Sequence, residues 1–557
     1  MTTERAINDE MVARGYVRDR SETKALRYLG AMDIRENSIR VAVTYIDREL
    51  TKVPKLSLLN REKDMPDVIA HFEANGNVCY VNEEQILLDP LKPRETVARC
   101  LIKMNESLDR AFSTDLSEEI TQEFPQHWLG STVYCNISKG FSGNAGMYAL
   151  REGTASEILL ITNSKKAFMR FGLSKFEIKN IMKLRLPVHV VSTEQQLTFI
   201  NGQSTPNTFL ELLEWLDTID TSARQTLLNK LPTTVPSPMQ FLICAPNGIV
   251  GGSIELPPIV KQSIIRPKAI RRILLSHAGR LKIDRITGND VSIELISRRN
   301  MPDTPNLNSK KIAIIGIGTI GGFLSKLLAQ TGAGLDGGLL YLIDTQVLEA
   351  GNIGRHFLGP LHIGKNKAQA MKEELSRIAP DSEVMISTSD ALESFNQLLD
   401  FDLVLDATGE QAFSDVLNRR FVSARQKEET ETAVLHCWLL GSGIAAQAIL
   451  VESNSFACYR CSRQHSPGKE RFRTLRPEHP AHLIPAACGE GSYFAYGAAA
   501  PSIAAGLAAQ MCFDWVNNEP SPRFRTLSIV PSAVFSVKDS DPAPLSECPV
   551  CSVSQNA

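Results

Sequence analysis

The sequence has almost no net charge: 60 Lys and Arg residues oppose 62 Asp and Glu residues in a chain of 557, for a formal charge of −2. Long basic or acidic runs are also lacking, so we expect no nucleic-acid partner. No apolar stretch approaches the length of a membrane span, and the polar start MTTERAINDEMVARG is unlike a signal peptide. We therefore expect a cytoplasmic protein that binds neither nucleic acid nor membrane.

Internal repeats and low-complexity tracts are missing as well. Hydrophobic content of 43% with 22% charged residues is typical of globular proteins, and a chain of this length exceeds a single hydrophobic core. The polar stretch NMPDTPNLNSK is typical of a linker. We predict three segments, 1–135, 136–300 and 301–557, and find no motif in the middle one, where strand-like and helical runs alternate.

A glycine motif follows the linker. Apolar strands alternating with helices predict a parallel sheet covered on both faces. Gly316, Gly318 and Gly321 form G-x-G-x-x-G between a predicted strand and helix, which permits a tight turn and close approach of the backbone to phosphates. Asp344 ends the next predicted strand, where a carboxylate can bind ribose hydroxyls. These residues alone fit a nicotinamide dinucleotide as well as ATP.

A set of polar residues after Asp344 favours ATP. Asn352, Arg355 and Lys367 follow in one short segment. A guanidinium and an ammonium can neutralise charge that develops on phosphoryl oxygens, and a dinucleotide site has little need of them. A solvated surface residue is the alternative for each side chain alone, but the ordered set indicates a triphosphate.

Residues 309–557 resemble the adenylating domain of the ThiF family, which includes sulfur-carrier adenylyltransferases and ubiquitin-activating enzymes. The matching order is glycine turn, acidic strand end, Asn-x-x-Arg, Lys and a second aspartate-containing strand end. The resemblance implies a Rossmann-like α/β fold, ATP bound with Asp344 on the ribose, and Asn352, Arg355 and Lys367 acting on the phosphates. Such domains usually dimerise, so we expect a homodimer.

Mg²⁺ is expected with ATP, because a hard cation is the usual partner of its phosphates. The family often carries a second aspartate for this metal, but Gly409 occupies that place in the stretch DATGE. Asp406, or failing that Glu410, is therefore expected to serve the metal.

Two C-x-x-C pairs predict a closed tetrahedral zinc site, which ThiF-family members commonly have. The four expected ligands are Cys458, Cys461, Cys548 and Cys551. Four protein ligands leave no position for a substrate, so the zinc is expected to be structural. Unrelated buried cysteines are the alternative.

Cys488 lies between the two pairs in PAACGEGSYFAYG, which is typical of a flexible loop. A nucleophilic cysteine needs access and a lowered pKa. In ubiquitin-activating relatives a cysteine of this region attacks the acyl-adenylate, so the resemblance implies that role for Cys488. A small loop residue is the alternative. Cys437 and Cys512 are flanked by apolar residues and are predicted to lie in the core.

Cys79 lies far ahead of the nucleotide motif, in the apolar run GNVCYV. Residues 35–130 resemble the ubiquitin-conjugating fold in its bacterial variants, with His71, Cys79, Asp89-Pro90 and Trp128 in matching order. The resemblance implies that Cys79 is the second thiol of a relay. The Asn of the eukaryotic His-Pro-Asn motif has no obvious counterpart. Alone, Cys79 would more often be a core cysteine.

The expected fold class is therefore α/β. It comprises a Rossmann-like adenylating domain with a parallel-rich sheet and zinc, an N-terminal α+β conjugating-like domain and a mixed α/β connecting region. The order resembles the activating–conjugating fusions of antiphage CBASS operons, which conjugate the C-terminus of a cGAS/DncV-like nucleotidyltransferase to lysines of target proteins. The chain ends six residues after Cys551, so we expect no C-terminal ubiquitin-like domain.

Two rival functions stay open. One is a sulfur-carrier adenylyltransferase with an unrelated N-terminal domain, which would not use Cys79. The other is a non-catalytic Rossmann-type scaffold that binds a dinucleotide, against which the ordered polar set after Asp344 argues.

Overall fold

The computed structural model divides the chain into two compact units, Met1–Phe168 with Phe176–Ser292, and chiefly Ile293–Ala557. The residues that the structure describes are 2–34, 37–60, 68–72, 76–80, 88–113, 116–152, 156–164, 181–199, 204–230, 238–255, 267–292, 295, 307–463, 471–479, 483–485 and 492–552.

The first unit begins with an antiparallel sheet and two long helices. The strands are β1 (Val17–Asp19), β2 (Leu26–Ile34), β3 (Asn37–Tyr45), β4 (Lys55–Leu58) and β5 (Asn77–Val78), paired in that order, with helices α1 (Thr3–Ala13) and α2 (Pro93–Ser113). Helix α2 has one apolar face, formed by residues at three- and four-residue spacing. Its side chains are buried in the core of this sheet: Val97, Leu101, Met104 and Leu108.

The first unit continues into a closed seven-stranded barrel. Two short helices lead into it, α3 (Ser117–Gln122) and α4 (Phe124–Trp128). Its strands are β6 (Ser131–Asn136), β7 (Gly143–Glu152), β8 (Ser156–Thr162), β9 (Ile181–Ser192), β10 (Met239–Ala245), β11 (Gly248–Ile254) and β12 (Ile283–Asp290), in the spatial order β10-β11-β12-β6-β8-β7-β9. Its helices are α5 (Phe209–Ile219), α6 (Thr221–Lys230) and α7 (Pro267–Ser276), followed by a 3-10 turn, Ala278–Arg280.

Trp128 joins the helical segment to the barrel. Its side chain is fully buried, and its Nε1–H donates to the carbonyl oxygen of Gly251 in β11 at 2.8 Å. Phe124, one turn earlier, stacks on Trp215 of α5 with ring centroids 5.6 Å apart. The helices after α2 therefore share one core with the barrel, and this core fixes the position of α3 and α4.

The second unit has a seven-stranded sheet that confirms the predicted parallel-rich α/β fold. The strands are β13 (Lys311–Ile315), β14 (Leu339–Ile343), β15 (Val384–Ser387), β16 (Leu403–Asp406), β17 (Ala433–Leu440), β18 (Ala445–Val451) and β21 (Phe524–Ser528). Strands β19 (Leu483–Pro485) and β20 (Ser492–Phe494) form a separate antiparallel pair. The spatial order is β15-β14-β13-β16-β17-β18-β21, of which the first five run parallel.

Helices cover both faces of this sheet. They are α8 (Thr319–Gln330), α9 (Lys367–Ile378), α10 (Phe395–Leu398), α11 (Gln411–Gln426), α12 (Tyr459–Ser462) and α13 (Ala499–Val516), with 3-10 turns at Ala350–Arg355, Pro360–His362 and Pro531–Ala533. Two separate buried clusters lie on opposite sides of the central strand β13, since Ile312 and Ile314 belong to one and Ala313 and Ile315 to the other. Strand residues buried on both faces explain the near-continuous apolar runs of the sequence.

Candidate active site

The glycine turn begins where β13 ends. Gly316 has φ +84°, a left-handed conformation that favours glycine, and a Cβ on it would lie 2.9 Å from the backbone of Thr408. Gly318 is the N-cap of α8, and a Cβ at Gly321 would lie 2.0 Å from the carbonyl oxygen of Gly316. Two of the three glycines thus permit close packing of the turn, and Gly318 opens the helix N-terminus to a ligand.

Asp344 lies directly beside this turn. Its carboxylate accepts hydrogen bonds from the backbone N–H of Ile317 and of Gln346, both at 2.7 Å. Burial raises the pKa of Asp344, although these hydrogen bonds and nearby Lys367 oppose the shift. The carboxylate is therefore held at the strand end by the glycine turn itself.

A pocket of about 370 Å³ opens above these residues, within the usual range for small-molecule sites. It lies at the carboxyl ends of neighbouring parallel strands, where ligands of open α/β sheets bind. Its polar lining includes residues that the motif predicts and others that it does not: Gly316, Gly318, Thr319, Asp344, Gln346, Ser389, Asp390, Thr408, Gly409, Glu410 and Tyr496.

Lys367 is buried at the start of α9. Its Nζ donates to the side-chain oxygen of Gln346 at 2.6 Å. Burial lowers the pKa of Lys367, while nearby Asp344 opposes that shift. The ammonium therefore lies next to the strand end that carries Asp344, although Lys367 does not itself line the pocket.

Asn352 and Arg355 lie in the 3-10 turn Ala350–Arg355. Asn352 Oδ1 accepts from the N–H of Glu349 at 3.1 Å and so closes the turn. Arg355 lies over the rings of Tyr493 and Tyr496, at 5.5 and 5.3 Å from their centroids, and its Nη1 donates to the carbonyl oxygen of Phe494 at 3.1 Å. Its Nε is buried without a hydrogen-bond partner among the described residues.

The aromatic residues around Arg355 connect two pockets. A second pocket of about 440 Å³ is lined by Arg355, Tyr493 and Tyr496, and Tyr496 also lines the first pocket. The Tyr496 hydroxyl lies 3.3 Å from the Thr319 hydroxyl at the start of α8. The sequence motif gave no reason to select these tyrosines, because they lie about 140 residues beyond Arg355 in the chain and only the fold brings them together.

Asp406 lies beneath the first pocket and is almost completely buried. Burial alone would raise the pKa of this carboxylate, but hydrogen bonds from His436, Ser414 and Thr408 lower it on balance. With both oxygens engaged and no place in the pocket lining, Asp406 is not positioned to contact a metal there, which argues against its expected magnesium role. Glu410, the second candidate, is exposed and lines the pocket.

His356 is a residue that the motif analysis missed. Its Nε2–H donates to the carbonyl oxygen of Ile317 in the glycine turn at 2.9 Å, and its Nδ1 accepts from the N–H of Leu358 at 3.0 Å. Burial lowers the pKa of His356 to about 4. A protonated ring would set a donor against the Leu358 amide, so the turn requires the neutral imidazole.

The four cysteines of the two C-x-x-C pairs converge in the second unit. Four sulfurs about 2.3 Å from a tetrahedral centre lie about 3.8 Å apart. The separations of the Sγ atoms are 3.9 Å for Cys458–Cys461, 3.8 Å for Cys458–Cys548 and 3.4 Å for Cys461–Cys551. All four are buried and fit a zinc ion.

The two candidate nucleophiles differ in what the structure describes. Cys79 follows β5 and is exposed, unlike every other cysteine of the described ranges. Cys488 lies outside the described residues. Cys437 and Cys512 are buried, which confirms their predicted place in the core.

Two family models match the chain. Residues 292–550 match the ThiF family, and residues 17–132 match the Prokaryotic E2 family B. The chain thus joins an E2-like segment to a ThiF-type, E1-like segment.

Within the described residues, no helix has the length and apolar character to cross a membrane.

Some individual proteins resemble most of the chain, and others resemble about half of it. The ATP-dependent ubiquitin transferase-like protein Cap2 of Pseudomonas aeruginosa is 29% identical over 91% of this chain and 90% of its own. The protein of the same name from Escherichia coli is 23% identical over 86% and 84%. A crystal structure of E. coli MccB with succinimide shares 19% identity over 46% of this chain and 68% of that one, with a TM-score of 0.33. The sequence matches show an enzyme of the adenylating and transferase type.

Removal of the expected metal tests the cysteine cluster. We expect about one zinc per chain in freshly purified protein, and a lower melting temperature of the second unit after chelation or in Cys458→Ala, because metal binding to such sites is folding free energy. Elemental analysis and thermal melts measure both. Cys512→Ala, a buried cysteine outside the cluster, is the matched control and should keep its zinc. Protein that holds no zinc would contradict the assignment.

His356 predicts a pH dependence of stability. The unfolded imidazole takes up a proton near pH 6.5 and the folded one only near pH 4, so the unfolded state binds more protons between these values and stability falls as pH falls. From pH 7 to pH 5 the loss is about 2 kcal/mol by this linkage. Urea unfolding of the second unit should show a smaller pH dependence in His356→Gln than in the wild type. Equal slopes would show that His356 does not titrate in this way.

Proposed function

We propose that this chain, a fusion of an E2-like and a ThiF-type E1-like segment, activates a protein C-terminus with ATP and conjugates it to a lysine. The acyl group would pass from an adenylate to Cys488, then to Cys79, and finally to the amine. The observation that carries the proposal is the pocket formed by the glycine turn, Asp344 and the loop at Gly409, in a chain that also bears the exposed Cys79.

The first step is adenylation. An oxygen of the substrate carboxylate attacks the α-phosphorus of ATP, the bond to the bridging oxygen breaks, and pyrophosphate leaves with that electron pair. The amides of the glycine turn face the phosphates, and Asp344 accepts hydrogen bonds from the ribose hydroxyls. Lys367 and Arg355 neutralise the charge that develops on the phosphoryl oxygens.

Arg355 must leave its present contacts for this role. Its guanidinium now interacts with two tyrosine rings and one carbonyl oxygen. These neutral partners hold it less strongly than a phosphate would, since a phosphate carries the opposite charge and can accept two parallel hydrogen bonds from the guanidinium. The triphosphate is therefore expected to draw Arg355 from the tyrosines.

The next steps transfer the acyl group between sulfurs. The Cys488 thiolate attacks the adenylate carbonyl and AMP leaves. The Cys79 sulfur then attacks the new thioester and displaces Cys488. A lysine amine of the target displaces Cys79 and forms the isopeptide bond. Thiolate is a better leaving group than alkoxide, so the thioester keeps the acyl group reactive at each stage.

Two metal ions complete the proposal. Mg²⁺ would neutralise phosphate charge, and Glu410 supplies an exposed carboxylate in the pocket lining. Zn²⁺ would be held by Cys458, Cys461, Cys548 and Cys551, a complete set of four thiolates that leaves no site for a substrate. The zinc stabilises the fold and takes no part in acyl transfer.

The expected substrate is the C-terminus of a cGAS/DncV-like nucleotidyltransferase, and the expected setting is antiphage defence in a CBASS operon. The support is the order of the two segments together with similarity to Cap2 proteins over most of the chain. We further propose that the protein acts as a homodimer in the cytoplasm.

Substitutions of the two cations test the adenylation step. Lys367→Ala and Arg355→Ala should each slow ATP–pyrophosphate exchange by about 10²–10³-fold, the usual cost of removing one donor from developing charge. Lys365→Ala, an exposed neighbour paired with Glu373, is the matched control and should exchange normally. Because Lys367 is buried, its variant also needs a thermal melt. Normal exchange in both variants would refute adenylation by this site.

The relay predicts different failures for the two thiols. Cys488→Ala should exchange pyrophosphate and form no thioester, because it lacks the first acceptor. Cys79→Ala should accumulate a reductant-sensitive thioester on Cys488 and make no isopeptide product. Intact mass spectrometry of the protein with ATP and a candidate substrate follows both. If Cys79→Ala conjugates its target at the wild-type rate, a sulfur-carrier adenylyltransferase with an unrelated N-terminal segment is the better assignment.

A further inference from the structure

A hydrogen-bonded histidine and glutamate lie next to Cys79 and have no part in the steps described above. His71 Nδ1 is 3.2 Å from Glu123 Oε1, and both side chains are partly exposed. Glu123 stands at the junction of α3 and α4, whose position is fixed by the core shared with the barrel. The carboxylate that meets His71 is therefore supplied by helices that pack on the barrel core.

The backbone places His71 across from Cys79. The Cys79 N–H donates to the carbonyl oxygen of His71 at 2.8 Å, and the adjacent residues Phe72 and Val78 form an antiparallel bridge. This hydrogen bond places the backbone of His71 directly beside that of Cys79. His71 is thus the histidine that adjoins the exposed thiol in this pair of segments.

Glu123 holds His71 in an unusual conformation. His71 has φ +65°, in the left-handed region that residues other than glycine rarely adopt. Hydrogen bonds from both the ring and the backbone N–H of His71 to Glu123 lower the pKa of that carboxyl, although burial opposes the shift. One carboxylate thus stabilises the orientation of the ring and also the strained backbone whose carbonyl binds the Cys79 amide.

We propose that His71 is the proton acceptor for the Cys79 thiol and that Glu123 is its positioning residue. A proton on Nδ1, directed at Glu123, leaves the lone pair of Nε2 for the thiol. The S–H bond of Cys79 breaks and its proton passes to Nε2, while the sulfur attacks the thioester on Cys488. The bond from the acyl carbon to Cys488 then breaks, and its electron pair stays on that sulfur. The step rests on the function proposed above.

The charges around His71 agree with this role. The hydrogen bond to Glu123 raises the pKa of His71, burial opposes the shift, Glu119 adds to it and Arg110 reduces it. His127, deeper in α4, has a pKa lowered by burial, so it is not a competing cation. A more basic imidazole accepts the thiol proton more readily, and the resulting imidazolium stabilises the thiolate.

The test measures the reactivity of Cys79 without any substrate. The full-length protein is alkylated with iodoacetamide from pH 5.5 to 9.5, and mass spectrometry follows the peptide that contains Cys79. In the wild type we expect the alkylation rate of Cys79 to rise with an inflection at a pH below the ordinary thiol pKa of about 8.5. His71→Gln should move it up to that value and slow alkylation at pH 7 roughly tenfold, because an unassisted thiol is only a few per cent thiolate there. Glu123→Gln should shift it in the same direction.

Glu118→Gln, an exposed neighbour in α3, is the matched control and should give the wild-type profile. If His71→Gln fails to fold in a thermal melt, the Glu123→Gln profile decides, since that variant keeps the imidazole. Profiles of the folded variants that overlay the wild type would overturn the proposal and leave His71 a purely structural residue. Failure of the relay would look different, as an alkylation profile that depends on His71 together with no ATP-dependent thioester on Cys79.

Discussion

Four hydrogen bonds to the buried carboxylate of Asp406 determine the shape of the pocket at the glycine turn. Its Oδ1 accepts from the backbone and the hydroxyl of Thr408, at 3.1 and 2.7 Å, and its Oδ2 accepts from Ser414 at 2.5 Å and His436 at 2.8 Å. Thr408 in turn packs on Gly316 too closely for any Cβ there. An unpaired carboxylate at this depth would cost several kcal/mol, so the strand end, the next helix and the glycine turn are held together by one charge.

Asp406 also connects the pocket to the cysteine cluster, through its hydrogen bond with His436. The His436 ring packs on the Tyr459 ring with centroids 4.5 Å apart, and Tyr459 follows directly after Cys458. Tyr459, Cys458 and the other three cysteines belong to one buried cluster. Zinc bound there would therefore stabilise the packing against which His436 orients Asp406. The proposed zinc site and the proposed ATP pocket thus depend on a common core.

The sequence predicted the features that local chemistry determines. A G-x-G-x-x-G turn between a strand and a helix requires particular backbone conformations, and paired C-x-x-C motifs can close a metal site, so both could be recognised from spacing. Two contacts could not be recognised in this way: the stacking of Arg355 on Tyr493 and Tyr496, and the hydrogen bond from His356 to Ile317. Both depend on how the fold packs residues together, and no sequence pattern marks them. The closed barrel was missed for the same reason, since its strand order is set by non-local pairing. Asp406 was identified as a strand-end carboxylate, but its burial, which decides its role, is a property of the fold.

In the proposed relay, Cys488 and Cys79 must be accessible and easily deprotonated, whereas the other cysteines must stay unreactive. Burial raises the pKa of Cys437 and Cys135 and so keeps them protonated and inert. Cys79 is exposed and its amide bonds the carbonyl oxygen of His71, whose imidazole we propose to accept the thiol proton. Covalent linkage of the two segments raises the effective concentration of one thiol at the other. Transfer between thiols on one chain therefore does not require a tight binding interface, and selectivity among the cysteines follows from exposure and the adjacent imidazole.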